Sequence, residues 1–447
     1  MKKIYFLAGL AAMTLASCSN SDEPEAQLKA PETAQAQQMP IGFDAYINRA
    51  TTRDGSTTAQ TTEQLKTDGF GVLAYYTDKG EYDQLSTPNF IYNSKVSTEA
   101  WSYSPVKYWP NEYGSTAISD DIDKVSFFAY APYVSVTPST GKVENNADWG
   151  ITALSSNSAA GDPIVKYIAS FDAAKSVDLL WGVADNANDV TWSPENGGTQ
   201  TIGKGLPWLN VQRPKTGADG KVHFYFNHAL SKLTATIDAF VDGSNNSNAL
   251  ATGTRILVRS ITFSGISMKG ALNLNNSTPG KQGALWLDYN GCGDLANGGE
   301  VTIHDGLKDG QEGKTPAVVA ANEKITGLNT DIIGTGNGVT NAEKTLFNAA
   351  SVLLIPTGEP VNITIVYDVE TTDPNLASKL SDGETAGSSI ENKITKTVTF
   401  GSDTKFESNK SYTLKLHLGM NSVKFEATVS NWDDADAEGE VDLPQNN

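Results

Sequence analysis

Ile41-Gly42-Phe43-Asp44-Ala45-Tyr46-Ile47 is the stretch that decides the fold. Ile41, Phe43, Ala45 and Ile47 occupy alternate positions, with Gly42, Asp44 and Tyr46 between them, and a period of two is an extended strand with one buried face. The polar loop Asn48-Arg49-Ala50-Thr51-Thr52-Arg53-Asp54-Gly55 follows at once, then a Thr/Gln-rich connection. The first ordered strand is therefore joined to the rest of the chain through a loop open to a protease, with Arg49 and Arg53 as the basic residues in it.

Reading toward the C-terminus, the same periodicity predicts strands at Phe70–Tyr76, Ile91–Tyr92, Val125–Tyr130 and Asp178–Val183. A turn-rich run near Arg213–Gly220 reads as a domain boundary. Past it, Val222, Phe224 and Phe226 alternate into Leu230, Leu233 and Ile237, and further strands follow near Arg255–Phe263, Ala284–Tyr289, Val352–Ile355, Asn362–Val369, Lys396–Phe400 and Ser411–Leu418. The chain closes with Val423, Phe425, Ala427 and Val429 in alternation, an acidic loop Asp433–Glu440, and Val441-Asp442-Leu443-Pro444. Both ends thus carry alternating, separable strands. Long stretches of 3.6-residue period are hard to find and no short repeat appears, so the fold class expected is all-β, with neither solenoid nor propeller.

Reading toward the N-terminus, residues 18–38 are polar and acidic, a composition that cannot form a core, and they read as a tether. Ahead of them Lys2 and Lys3 precede an apolar run, Ile4–Ala16, that ends in Leu15-Ala16-Ser17-Cys18. That run is too short for a roughly 30 Å hydrocarbon core, which takes about 20 residues. Residues 1–17 read as a secretory signal, and Cys18 as the lipidated first residue of the exported chain. The expected organisation is then a domain over 39–215, opening with the strand 39–49, and a domain over 216–447, closing with the strands within 423–444.

The 447 residues exceed what one core usually serves. With Cys18 carrying lipid, Cys292 has no partner for a disulfide. A net charge of −19 argues against nucleic acid as a partner, because phosphate tracking rests on Lys and Arg. No catalytic constellation is recognisable: His223, His228, His304 and His417 form no ligand pair at metal spacing. Asp434-Ala435-Asp436-Ala437-Glu438-Gly439 imitates the start of a calcium loop, but Gln445 stands where a bidentate Glu is needed. Gly334–Gly338 lacks the Lys-Ser/Thr of a phosphate loop. The expectation is a non-enzyme without cofactor or metal. Trp101, Trp109, Trp149, Trp181, Trp192 and Trp208 are either core residues or platforms for sugar rings, and their apolar flanks favour the core.

Several segments together resemble the fimbrillin family of Bacteroidia, the type V pilins. They are the lipobox at Cys18, Ile41–Ile47 with Asn48-Arg49-Ala50, Phe70–Tyr76, Pro105–Pro110, Phe127–Tyr133, Phe226–Leu233 and Val429-Ser430-Asn431-Trp432. Ser21-Asp22-Glu23 behind Cys18 likewise resembles the surface-export signals of Bacteroidetes lipoproteins. The resemblance implies two transthyretin-like β-sandwich domains and an outer-membrane lipoprotein precursor. It implies cleavage by an Arg-specific protease at Arg49 or Arg53, and polymerisation with other fimbrial subunits by donor-strand exchange. The donor is either Val423–Val429 or, if that is a core strand, the segment holding Val441 and Leu443. The alternative function is a surface glycan-binding lipoprotein of a polysaccharide-uptake system with the tryptophans as platforms.

Overall fold

The computed structural model describes residues 39–47, 61–110, 123–145, 148–172, 175–218, 220–239, 254–277, 283–295, 301–305, 332–335, 344–347, 351–372, 386–418 and 423–432. All of them belong to one unit, Met39–Asn447. The signal, the tether and Cys18 lie outside the described residues, as do Arg49, Arg53, Val441 and Leu443.

Among the described residues the chain is nearly all β. It begins with β1 (Gly42–Ile47), the short helix α1 (Thr62–Asp68), β2 (Phe70–Tyr76), β3 (Ile91–Val96) and β4 (Lys124–Ala131). There follow β5 (Gly150–Leu154), β6 (Ile164–Ile168), β7 (Leu180–Val183), β8 (Val190–Trp192), β9 (Gln200–Ile202), β10 (Trp208–Gln212) and β11 (Lys221–His228). Next come β12 (Ser231–Ala239), β13 (Thr254–Ser264), β14 (Ile266–Ser267), β15 (Lys269–Asn273), β16 (Leu285–Leu287), β17 (Val301–Asp305) and β18 (Ile332–Thr335). The last are β19 (Lys344–Thr345), β20 (Val352–Pro356), β21 (Asn362–Thr372), β22 (Ala386–Thr397), β23 (Lys410–Leu418) and β24 (Val423–Asn431).

A seven-stranded sheet runs β1-β11-β7-β4-β2-β3, with β10 against β4. One face of it meets the four-stranded sheet β16-β15-β6-β5 through a core that includes Tyr75, Phe128, Tyr130, Val165, Tyr167 and Leu272. The other face is covered by α1 and the loop tryptophans, around Phe43, Phe70, Phe127, Trp109, Trp208 and Phe224. Being buried on both faces, β2 and β4 are apolar almost without a break, FGVLAYY and KVSFFAYA, where a half-buried strand would alternate. The remaining large sheets, β14-β20-β12-β23-β24 and β17-β13-β21-β22, enclose a separate core that includes Leu233, Ile237, Phe263, Ile365, Leu414 and Leu416.

The division expected between residues 215 and 216 does not coincide with the sheets. β11, read as the opening of a second domain, pairs with β1 and β7 in the first sheet. The chain changes sheet two residues later, at Ala229-Leu230, both fully buried, before β12 joins β23. It crosses back at Met268: β14 pairs with β20, whereas β15 pairs with β6. The predicted strand Lys396–Phe400 is also corrected, since β22 ends at Thr397 and Phe400 closes a turn with Asp403.

α1 was not expected within the Thr/Gln-rich connection. Its start carries a capping box: the Gln64 N–H donates to Thr61 Oγ1 (3.2 Å) and the Thr61 N–H to Gln64 Oε1 (2.8 Å), satisfying two donors that the first turn leaves open. Leu65 is the side chain it buries, and Gly69 ends it at φ +80°, a conformation glycine adopts without strain.

Candidate functional site

β1 is an edge strand, parallel to β11 from Gly42 opposite Lys221 to Ile47 opposite Phe226. This register sorts the two faces. Phe43, Ala45 and Ile47 lie opposite Val222, Phe224 and Phe226, and all six are buried. Asp44 and Tyr46 lie opposite His223 and Tyr225 on the outer face, where Tyr46 is 45% exposed. The alternation of Ile41, Phe43, Ala45 and Ile47 therefore points into the core as predicted. Phe43 is the centre of it, with ring centroids at 5.1 Å from Tyr103 and 6.1 Å from both Phe127 and Phe224.

The start of the strand is held on its second side. The Ile41 N–H donates to the Lys107 carbonyl and the Trp109 N–H to the Met39 carbonyl, both at 2.9 Å. The Tyr103 hydroxyl donates to the Ile41 carbonyl (2.9 Å) and accepts from the Lys107 N–H (3.1 Å). Farther along, the Ile47 N–H reaches Thr62 Oγ1 at 3.4 Å. On the outer face Asp44 sits 3.1 Å from Lys221 Nζ and 3.4 Å from His223 Nδ1. Sequence reasoning missed Tyr103, Lys107, Lys221 and His223 as partners of the strand. Tyr103 and Lys107 lie in a loop without periodicity, and nothing in the chain order fixes which strand lies opposite Asp44.

What holds β1 is thus one ladder, a short stitch at its start and one row of apolar side chains. Burying Ile41, Phe43 and Ile47 contributes about 1.5 to 3 kcal/mol each by area transfer. The backbone pairing of such a strand is not sequence-specific, and its inward pockets are filled by alternate apolar side chains.

At the other end of the chain, β24 is the edge of its sheet and pairs antiparallel with β23 at every residue from Val423 to Asn431. Val423 and Phe425 stand opposite Leu418 and Leu416, Ala427 is buried, and Val429 is 42% exposed. Immediately after it Trp432 is buried, its ring stacked on His228 at 4.2 Å and 11°. His228 in turn holds Asp178, which is fully buried, through Nδ1 at 2.9 Å. The sequence placed His228 only at a strand end. Its burial between a tryptophan and a carboxylate ties the end of β24 to the first sheet.

Of the six tryptophans weighed as sugar platforms, Trp101, Trp109, Trp181, Trp192 and Trp208 are buried in the cores. The exception is Trp149, at 36% exposure with Lys175 Nζ 4.7 Å above its ring.

Over 164 residues the chain is 34% identical to fimbrium subunit Fim1C of Phocaeicola vulgatus, a stretch that takes in 35% of this chain and 36% of the relative. The chain therefore spans about a third of the length of the curated relative it matches. Its fold is similar to the crystal structure of a fimbrial protein from Bacteroides vulgatus, 19% identical, at a TM-score of 0.50 covering 88% of this chain and 99% of that one. No family model matches the chain.

Proposed function

We propose, from the premise that this chain belongs to the fimbrillin family of Bacteroidia, that it is a structural subunit of adhesive surface fimbriae with no catalytic role. In this reading it is exported as an outer-membrane lipoprotein through Cys18 and folds as two transthyretin-like β-sandwiches. An Arg-specific protease then cuts at Arg49 or Arg53, and the subunit joins other fimbrial subunits by donor-strand exchange.

The observation that carries the reading is the setting of β1. It is a parallel edge strand, so no hairpin fastens it to β11, and its chain connection to the rest of the fold runs only through residues 48–60, which contain both arginines. A cut there leaves β1 and everything before it held by non-covalent contacts alone. Its departure would expose the row Val222, Phe224 and Phe226, an apolar groove with an unpaired backbone edge, which demands a partner strand.

For the incoming strand the reading favours the segment with Val441 and Leu443 over Val423–Val429. β24 is paired at every residue, and Trp432 fastens its end against His228. Using β24 as donor would break that ladder and pull an indole into water, so a segment beyond Trp432 is the cheaper donor.

Replacing Arg49 and Arg53 together by Ala is expected to leave the protein monomeric and membrane-bound in its native host. Normal fibres from the double variant would overturn the proposal. The burial of five of the six tryptophans leaves the rival, a tryptophan-lined sugar binder, with Trp149 as its one platform among those six.

A further inference from the structure

The outward face of the four-stranded sheet carries a second feature, independent of strand exchange. A concavity of about 870 Å³ lies over β5, β6 and β15. Its lining includes Lys142, Lys166 and Lys269, and among the described lining residues Asp148 is the one carboxylate. In a chain of net charge −19 this local excess of positive charge runs against the average of the surface.

Its geometry is set by the sheet. In β6 Val165 and Tyr167 point into the core, so Ile164, Lys166 and Ile168 point outward into the concavity. Lys269 stands opposite Ile168 and so lies diagonal to Lys166 on the same face. The two side chains thus put two positive charges on one face, and because diagonal neighbours are within reach of long side chains a single anion could contact both. Between β5 and β6 the register shifts at Thr152, a bulge that re-aims its side chain. The Thr152 hydroxyl lies 2.8 Å from that of Tyr289, whose ring passes beneath the Lys166 ammonium at 5.5 Å. The Asp288 carboxylate, one residue before Tyr289, is engaged by its own turn. It accepts the Gly291 and Cys292 N–H groups of its own turn, at 2.7 and 3.0 Å.

The lining thus combines three kinds of group: cations, a half-buried aromatic ring, and a scatter of hydroxyls and an amide from Ser139, Thr140, Ser155, Ser156 and Asn290. Cations recognise a carboxylate or sulfate, a ring packs on the apolar face of a pyranose, and hydroxyls and amides exchange hydrogen bonds with sugar hydroxyls. The volume is within the range of small-ligand sites, roughly 300 to 1,000 Å³. We propose that this concavity binds an acidic oligosaccharide, its anionic group between Lys166 and Lys269 and a sugar ring against Tyr289.

The test uses the purified chain from residue 39 onward and three probes in calorimetric titration: a hyaluronan tetrasaccharide, a chondroitin sulfate tetrasaccharide and uncharged chitotetraose. Binding of one or both acidic sugars is expected, at least tenfold tighter than the neutral one and weakening with added salt. Preference between the two acidic probes tells carboxylate from sulfate. K166Q/K269Q should lose tenfold or more in affinity with an unchanged melting temperature, while K175Q, outside the concavity, should bind as the parent does. Should the double variant unfold, the salt dependence and the neutral probe on the parent still decide. No acidic sugar bound, or equal binding of the neutral one, overturns the proposal. So does tighter binding of a peptide spanning residues 433–440, which would make the concavity a seat for the acidic segment of a second copy.

Discussion

Phe43 is the side chain on which the hold of β1 depends most. It touches Tyr103, Phe127 and Phe224, one from the loop and two from strands β4 and β11 of the sheet. Phe43→Ala should lower the stability of the uncut chain by about 3 to 5 kcal/mol, the usual cost of emptying a buried aromatic site. Tyr46→Ala, two residues on but facing outward, should cost under about 1 kcal/mol. Denaturant titration of the two variants checks both numbers. Equal losses would mean that the strand is not seated by its odd-numbered face. At this scale the sequence was informative because one-sided burial imposes a period of two, and Ile41, Phe43, Ala45 and Ile47 obey it. The partners that bind the backbone of β1 were not legible. Tyr103 acts through a single hydroxyl, and a lone tyrosine in a loop looks the same in sequence whether or not it meets a strand 62 residues away.

At the scale of elements, a strand's existence was easier to read than its sheet. β2, β4, β20, β23 and β24 were all foreseen near their observed limits, because their apolar content is high or regular. The sheet change at Ala229-Leu230 was passed over as one continuous alternation. Yet the phase of that alternation flips there: Val222, Phe224 and Phe226 are inward at even positions, and Leu233, Ala235 and Ile237 at odd ones. A strand cannot reverse its inward face without a break, so the flip marked the crossing. β5 and β6 went unforeseen since short strands with Thr, Lys and Gly give little pattern, and the bulge at Thr152 breaks what there is. The capping box at Thr61 and Gln64 was a legible signal for α1, hidden by its polar surroundings. β24 is the element on which the direction of the proposed exchange turns. Its sequence suits a donor, but its full ladder to β23 and the seat of Trp432 suit a fixed strand.

At the scale of the whole molecule, the cores hold an unusual load of buried phenols. Burial pushes the hydroxyls of Tyr75, Tyr82, Tyr130, Tyr167 and Tyr412 well up from their ordinary value, and that of Tyr92 up to about 12. The unfolded chain releases these protons near pH 10 while the folded chain keeps them, so unfolding gains as the pH rises. Stability from this source is complete below about pH 10 and falls above it, by up to about 1.4 kcal/mol per pH unit for each fully buried tyrosine. Alkaline unfolding should therefore be steep and should coincide with tyrosinate absorbance. Ionisation of these six tyrosines ahead of any loss of structure would contradict this account of the cores.

The account rests above all on β1 being a strand the molecule can exchange, and mass spectrometry after limited cleavage tests that most directly. The chain from residue 19 is treated briefly with trypsin, alongside a version that ends at Trp432, and the masses of monomers and multimers are followed. Cleavage at Arg49 or Arg53 should release the peptide that carries Ile41–Ile47, and the full-length protein should then build multimers lacking that peptide, while the shortened one stays monomeric. A cut chain that keeps its first strand and never multimerises, or multimers that still contain the strand, would contradict it.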